Sequence, residues 1–240
     1  MISSTKGIVL HRFKYSDTKL IAKIYTENFG LKSYLIYVSK SKKSVPSFVM
    51  LQPFFILDMQ VYNNERVELQ KIKEISNAYP LLTIPFDITK NSISLFLSEF
   101  LMKTLKEDEP EPALFDFIVN SIICLDKLQN NYQNFHLLFL FNFCKIMGIM
   151  PENNYSEIKQ TFDIKNGKFI SGIPNHNLFV NSELSFSVSQ MFDLTIQESH
   201  LLKINNSVRK QLLKCIIEYF NYHLGKPGQL KTLNVLTQLF

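Results

Sequence analysis

The hydrophobic period of this 240-residue chain changes once, near residue 80, and that change constrains the fold more than any motif. Before it, "KGIVLHRFKYS", "KLIAKIYTENFG", "LKSYLIYVS", "FVMLQPFFILDMQVY" and "ERVELQKIKEI" are rich in β-branched and aromatic residues. "SDT" and "NNE" supply turn residues between them. Five such strands in about 75 residues suggest a small closed barrel, for which the five-stranded OB type is a natural candidate.

After "NAYPLLTIPFD" the spacing becomes helical. Ile88, Phe96, Leu97, Phe100, Leu101 and Leu105 fall on one helix face. "EPEPALFDFIVNSIICLDKL" opens with Pro112, whose missing N–H costs nothing in a first turn. "FHLLFLFNFCKIMGIM", residues 135–150, is apolar all round but too short, and too interrupted by His136, Asn142 and Lys145, for a membrane span of roughly 20 residues. It reads as a buried bundle helix ending near Gly148. Ser207 is the expected cap of a helix stopped by Gly225 and Pro227, and "LKTLNVLTQLF" forms a short last helix. Residues 152–186 look irregular, with extended pieces around "TFDIKNGKFI". The expected architecture is α+β, an N-terminal five-stranded OB-fold barrel over 1–80 and a C-terminal α-helical domain over 81–240.

The formal charge of +5 is unevenly placed: residues 1–80 carry +6 and residues 81–240 carry −1. Within residues 1–43 nine basic residues face two acidic ones. A basic barrel on a near-neutral helical body suits a nucleic-acid-binding module. Catalysis finds no support. There is no Walker loop, no G-x-G-x-x-G and no H-E-x-x-H, and seven glycines leave little for phosphate-cradling loops. The five histidines are dispersed, and "KEDEPEP" reads as a solvated loop. Cys124, Cys144 and Cys215 sit in apolar helical contexts and read as small buried hydrophobes. A reducing cytoplasm fits, and the first residues lack the apolar core of a signal peptide.

Arg12, Lys14 and Lys19 surround the first turn, and Lys40, Lys42 and Lys43 populate a later connection. Tyr15, Tyr34 and Tyr37 are interleaved with them. Charge along a backbone and aromatic faces for bases are what hold a single strand. The same tyrosines would serve equally as barrel core. The competing readings are an adaptor that binds proteins and not DNA, its lysines conferring solubility, and a nuclease, for which no metal-binding carboxylate cluster is found.

The linear order of "KGIVLHRFKYSDTKLIAKIYTENFGLKSYLI", "SKSKKS", "LQPFFILDMQVY", "RVELQKIKEISNAYP", "FHLLFLFNF" and "RKQLLKCIIEYFNYHLGKPGQLKTLNVL" resembles the RecO family of bacterial recombination mediators. The resemblance covers nearly the whole chain. It implies an N-terminal OB-fold, a place in the RecF pathway at the nucleoid, and binding to single- and double-stranded DNA with ATP-independent annealing. It also implies partnership with RecR and with single-stranded DNA-binding protein, and so loading of RecA, with no cofactor. Lys40, Lys42 and Lys43 fall where the family carries a basic loop. The acidic, Phe-ended tail of the single-stranded DNA-binding protein is expected on the helical half, near Arg209, Lys210, Lys214 and Lys231. Many relatives carry a four-cysteine zinc site; "GIMPENNYSEIKQTFDIKNGKFISGIPNH" contains no cysteine and only His176, so no zinc is expected.

Overall fold

The computed structural model describes residues 2–37, 48–64, 66–105, 109–225 and 227–239. Five strands, β1 (Ile2–Ser16), β2 (Lys19–Thr26), β3 (Gly30–Tyr37), β4 (Ile56–Tyr62) and β5 (Leu69–Tyr79), form a closed barrel in the order β1-β2-β3-β5-β4. β3 and β5 run parallel and the other pairs antiparallel. The barrel is of the OB type expected from the sequence.

Cross-strand partners share a face, so the register assigns each side chain. Gly7 pairs with Thr26 and faces the interior, where a Cβ would lie 2.5 Å from Met59 Cε and 2.6 Å from Ile24 Cγ2. Only a residue without a side chain lets those two meet. The opposite face of the same strands carries Ile8, Tyr25 and Leu31, all buried, with the Tyr25 ring 6.1 Å from Phe115. That cover comes from α1 (Ile88–Thr104), which packs on β1, and α2 (Pro112–Lys127). Gly30 has φ +67°, and a Cβ there would meet the backbone of Glu109 at 2.8 Å. Glycine is required there twice over.

"FVMLQPFFILDMQVY" does not form one strand. Phe48–Leu51 is a 3-10 turn, and β4 begins only at Ile56. Pro53 cannot donate a ladder bond, and Phe54 takes φ +70° while its N–H donates to Val9 O at 2.7 Å. The chain turns there, with Leu51 and Phe54 filling the core while Val49 is exposed.

A buried polar knot holds the approach to α1. The Asp126 carboxylate accepts the N–H groups of Leu82, Thr83 and Ile84 at 2.8–2.9 Å. Buried Lys90 donates to Thr83 Oγ1 at 2.7 Å and to the Asp126 carbonyl at 3.1 Å. Asp87 caps α1 by accepting from Thr89 N and Lys90 N. By packing, the chain forms two compact units, Met1–Asp126 and Lys127–Phe240. The first unit therefore contains both helices that cover the barrel.

The second unit is built around α3 (Phe135–Ile146), buried continuously from Phe135 to Phe141. It continues through a small sheet of β6 (Thr161–Asp163), β7 (Lys168–Ile170) and β8 (Phe179–Val180), then α4 (Ser182–Gln190), α5 (Asn206–Leu224) and α6 (Thr232–Leu239). Part of the stretch expected to be irregular is helical: Asn181 caps α4, whose serines weaken the helical pattern in the sequence. Asn205, not Ser207, caps α5, accepting from Val208 N at 3.0 Å. Gly225 ends that helix at φ +68°. Among the described residues no helix is long and apolar enough to cross a membrane.

Candidate nucleic-acid interface

The basic residues of the first hairpin do not share one face. β1 contains two bulges, one between Val9 and His11 and one between Lys14 and Ser16. Each shifts the alternation of side chains along the strand. Beyond the first bulge, Arg12 pairs with Ala22 and Lys14 with Leu20, residues of the interior-facing rows. His11 pairs with Lys23, Phe13 with Ile21, and Ser16 with Lys19, on the outer face. β3 extends the outer rows with Ser33, Leu35 and Tyr37.

Arg12 is half-buried, and burial lowers its guanidinium pKa from the ordinary value. Lys14 and Asp17 form an ion pair at 2.6 Å with both side chains largely exposed. Such a pair contributes little to stability and leaves the ammonium able to exchange partners. Lys19 lies 5.3 Å over the ring of Tyr37, within cation–π range. Phe13, Tyr15 and Tyr37 are 44%, 62% and 52% exposed. Tyr34, in contrast, is buried with its neighbours in the core and offers no surface. The barrel needs that ring for packing. Lys40, Lys42 and Lys43 lie outside the described residues. Tyr37, the partner of Lys19, is the last described residue before them.

A groove of about 1070 Å³ runs along β1, β3, β4 and β5, with Leu35, Ile36 and Tyr37 of β3 in its lining, so that it borders the hairpin end at Tyr37. Its charged lining balances among the described residues: Lys6, Lys71 and Lys73 against Glu27, Asp58 and Glu74. Charge balance makes this groove a poor phosphate track, and the hairpin end remains the basic surface. Sequence reading missed Phe13, His11 and Lys23 as members of that end, because the bulges hide the alternation that groups them.

In the second unit, Arg209 is only 7% exposed. Its Nε donates to Asn134 Oδ1 at 2.7 Å, and its Nη1 donates to Asn206 Oδ1. Asn134 in turn donates to the Leu202 carbonyl at 2.7 Å. Lys210 is half-buried, whereas Lys214 and Lys231 are exposed. His136 is fully buried, and desolvation, with Arg209 nearby, lowers its pKa to about 3.

The β6–β7 hairpin lies in the stretch where zinc ligands would fall. Phe162, Ile164 and Phe169 are buried there, with Phe162 and Phe169 rings 5.1 Å apart; Ile170 is half-buried. Polar side chains hold its backbone. Asn154 accepts from Phe169 N and donates to Phe169 O, Ser185 Oγ accepts from Phe162 N, and Asp163 accepts two bonds from Asn166. Among the described residues no three His, Cys, Asp or Glu side chains cluster to hold a metal. The residues present do not fit a tetrahedral zinc. Elemental analysis of purified protein is expected to find no stoichiometric zinc, and a chelator should leave the melting temperature unchanged. One zinc per chain with unfolding on chelation would contradict this.

The fold defines a class: a closed five-stranded OB-type barrel, basic at one hairpin, followed by helices. Residues 1–80 match the family model for the recombination protein O N terminal and residues 85–233 that for its C terminal. The chain is 34% identical over 240 residues to the DNA repair protein RecO of Phocaeicola vulgatus, covering all of both chains. Identity to the protein of that name from Bacteroides fragilis is 34% over 241 residues, again over all of both. For Flavobacterium psychrophilum it is 32% over 244 residues and 98% of each chain. The chain belongs to the RecO family.

Proposed function

We propose that this chain acts in DNA repair and recombination as a mediator that binds single- and double-stranded DNA and anneals complementary strands without ATP. The observation that carries the reading is the gathering of Arg12, Lys14 and Lys19 with exposed rings at one hairpin of an OB-type barrel. Lys40, Lys42 and Lys43 extend the same charge along the sequence. Phosphates are common to all sequences, so binding shows little sequence preference. With RecR the chain helps RecA replace single-stranded DNA-binding protein on coated strands. The acidic tail of that protein docks on the helical unit, where Lys214 and Lys231 are exposed and Arg209 is tied into buried hydrogen bonds. No bond-making chemistry is assigned to the chain, and it acts in the cytoplasm at the nucleoid.

A mobility-shift titration at several salt concentrations tests the reading. Six phosphate contacts at about 0.7 each predict a log–log slope of roughly −4 for single strands. An adaptor without DNA affinity would show neither a shift nor a slope.

A further inference from the structure

We propose that the outer face of β1–β2–β3 is a stacking platform for unpaired nucleobases, with Phe13 and Tyr37 as its rings and Lys19 and Lys23 as the cations beside them. The inference rests on the DNA-binding reading and names the form of DNA this surface takes. Three consecutive outer rows run His11–Lys23–Ser33, Phe13–Ile21–Leu35 and Ser16–Lys19–Tyr37. Cations and rings therefore alternate on one side of the sheet. Phe13 and Tyr37 stand two strands and two residues apart, about 10 Å across and about 7 Å along the face. That separation gives each ring its own base.

The two ends of this face differ. At one end Ile8, Tyr25 and Leu31 are sealed by α1 and α2. At the other, Phe13 is 44% and Tyr37 52% exposed. Phe13 carries no polar atom, so its exposure has no solvation benefit. The His11 ring, 6.1 Å from Phe13 and tilted by 31°, extends the aromatic surface. Lys19 rests on Tyr37 and holds that ring in place while supplying charge. A duplex keeps its base faces stacked inside and cannot use these rings; a single strand can.

The test compares the full-length chain with Phe13→Ala, Tyr37→Ala and Tyr37→Phe, titrating fluorescein-labelled oligothymidylate and a duplex of equal length. Each alanine variant should lose about tenfold in single-strand affinity, a stacking-sized effect. Duplex affinity should stay within about twofold, and the salt slope should not change because no phosphate contact is removed. Tyr37→Phe should bind like the wild type. Bromodeoxyuridine placed in the oligonucleotide should photo-cross-link to Phe13 or Tyr37. Equal losses on both ligands, or wild-type single-strand affinity in folded alanine variants, would overturn the platform while leaving DNA binding intact. A wild-type chain that binds neither ligand would overturn both readings.

Discussion

The combined substitution Lys40→Glu, Lys42→Glu and Lys43→Glu should lower affinity for single-stranded and duplex DNA by at least about 100-fold near physiological salt. It takes the net charge of residues 1–43 from +7 to +1. Three phosphate contacts disappear and three repulsions replace them. The salt slope for single strands should therefore flatten from about −4 to about −2, since each lost contact removes about 0.7. Annealing should fall with binding, because both strands must be held for their bases to meet. The melting temperature should be unchanged. Lys214→Glu, on an exposed face of α5, is the control and should leave DNA binding as it was. Full affinity in the triple variant would remove these lysines from the interface.

The second large effect concerns stability. Asp126→Asn should cost about 3 kcal/mol or more, because it removes one of the two carboxylates whose charge acts on buried Lys90, Asp87 being the other, and disturbs three backbone N–H bonds. That is a large part of the 5–15 kcal/mol that typically holds a domain. Lys90→Met should cost less than half as much, since the carboxylate keeps its three N–H donors. Equal costs would place the stabilisation in the contacts of Lys90 and not in the backbone bonds to the carboxylate. The pH dependence follows from the same geometry. The backbone N–H donors outweigh desolvation and hold the Asp126 carboxyl below its ordinary value. A depressed carboxyl contributes its full stability above the unfolded value of 3.8 and loses it as pH falls through the folded value. Thermal melts at pH 7 and pH 3 should show this loss in the wild type and a smaller one in Asp126→Asn. Some acid sensitivity should persist, because Asp163 is likewise depressed, in its case by Asn166 and His176.

The barrel was legible because its strand signal is local: β2 and β3 are dense in β-branched and aromatic residues and are bounded by turn residues, although burial on both faces erases their alternation. β1 was legible as a strand but not as a surface. Its bulges at Leu10 and Tyr15 change which parity points outward, so Arg12 and Lys14 separated from Lys19 only once the register was known. Tyr34 and Tyr37 look alike in "SYLIY", yet one is core and the other exposed. Their difference is set by Ala22 and Lys19 across the strand, distant in sequence. The Asp126 knot was invisible for the same reason. Its partners lie more than 40 residues away, and a lone aspartate near the end of a helix carries no signal of what it will hold. Arg209 read as a surface cation because "NSVRKQLLK" places it beside lysines, while Asn134, which receives its Nε–H, lies 75 residues earlier.

The cover that α1 and α2 place on Ile8, Tyr25 and Leu31 has a consequence for biosynthesis. A chain emerging from the ribosome at about 5–20 residues per second presents β1 to β3 several seconds before α2 exists. During that interval the row later sealed by Phe115 is bare apolar sheet, even after β4 has joined β1. The nascent barrel is therefore most vulnerable to aggregation while residues 80–127 are being made. Rare codons slowing that stretch should lower the soluble yield more than the same codons placed after it.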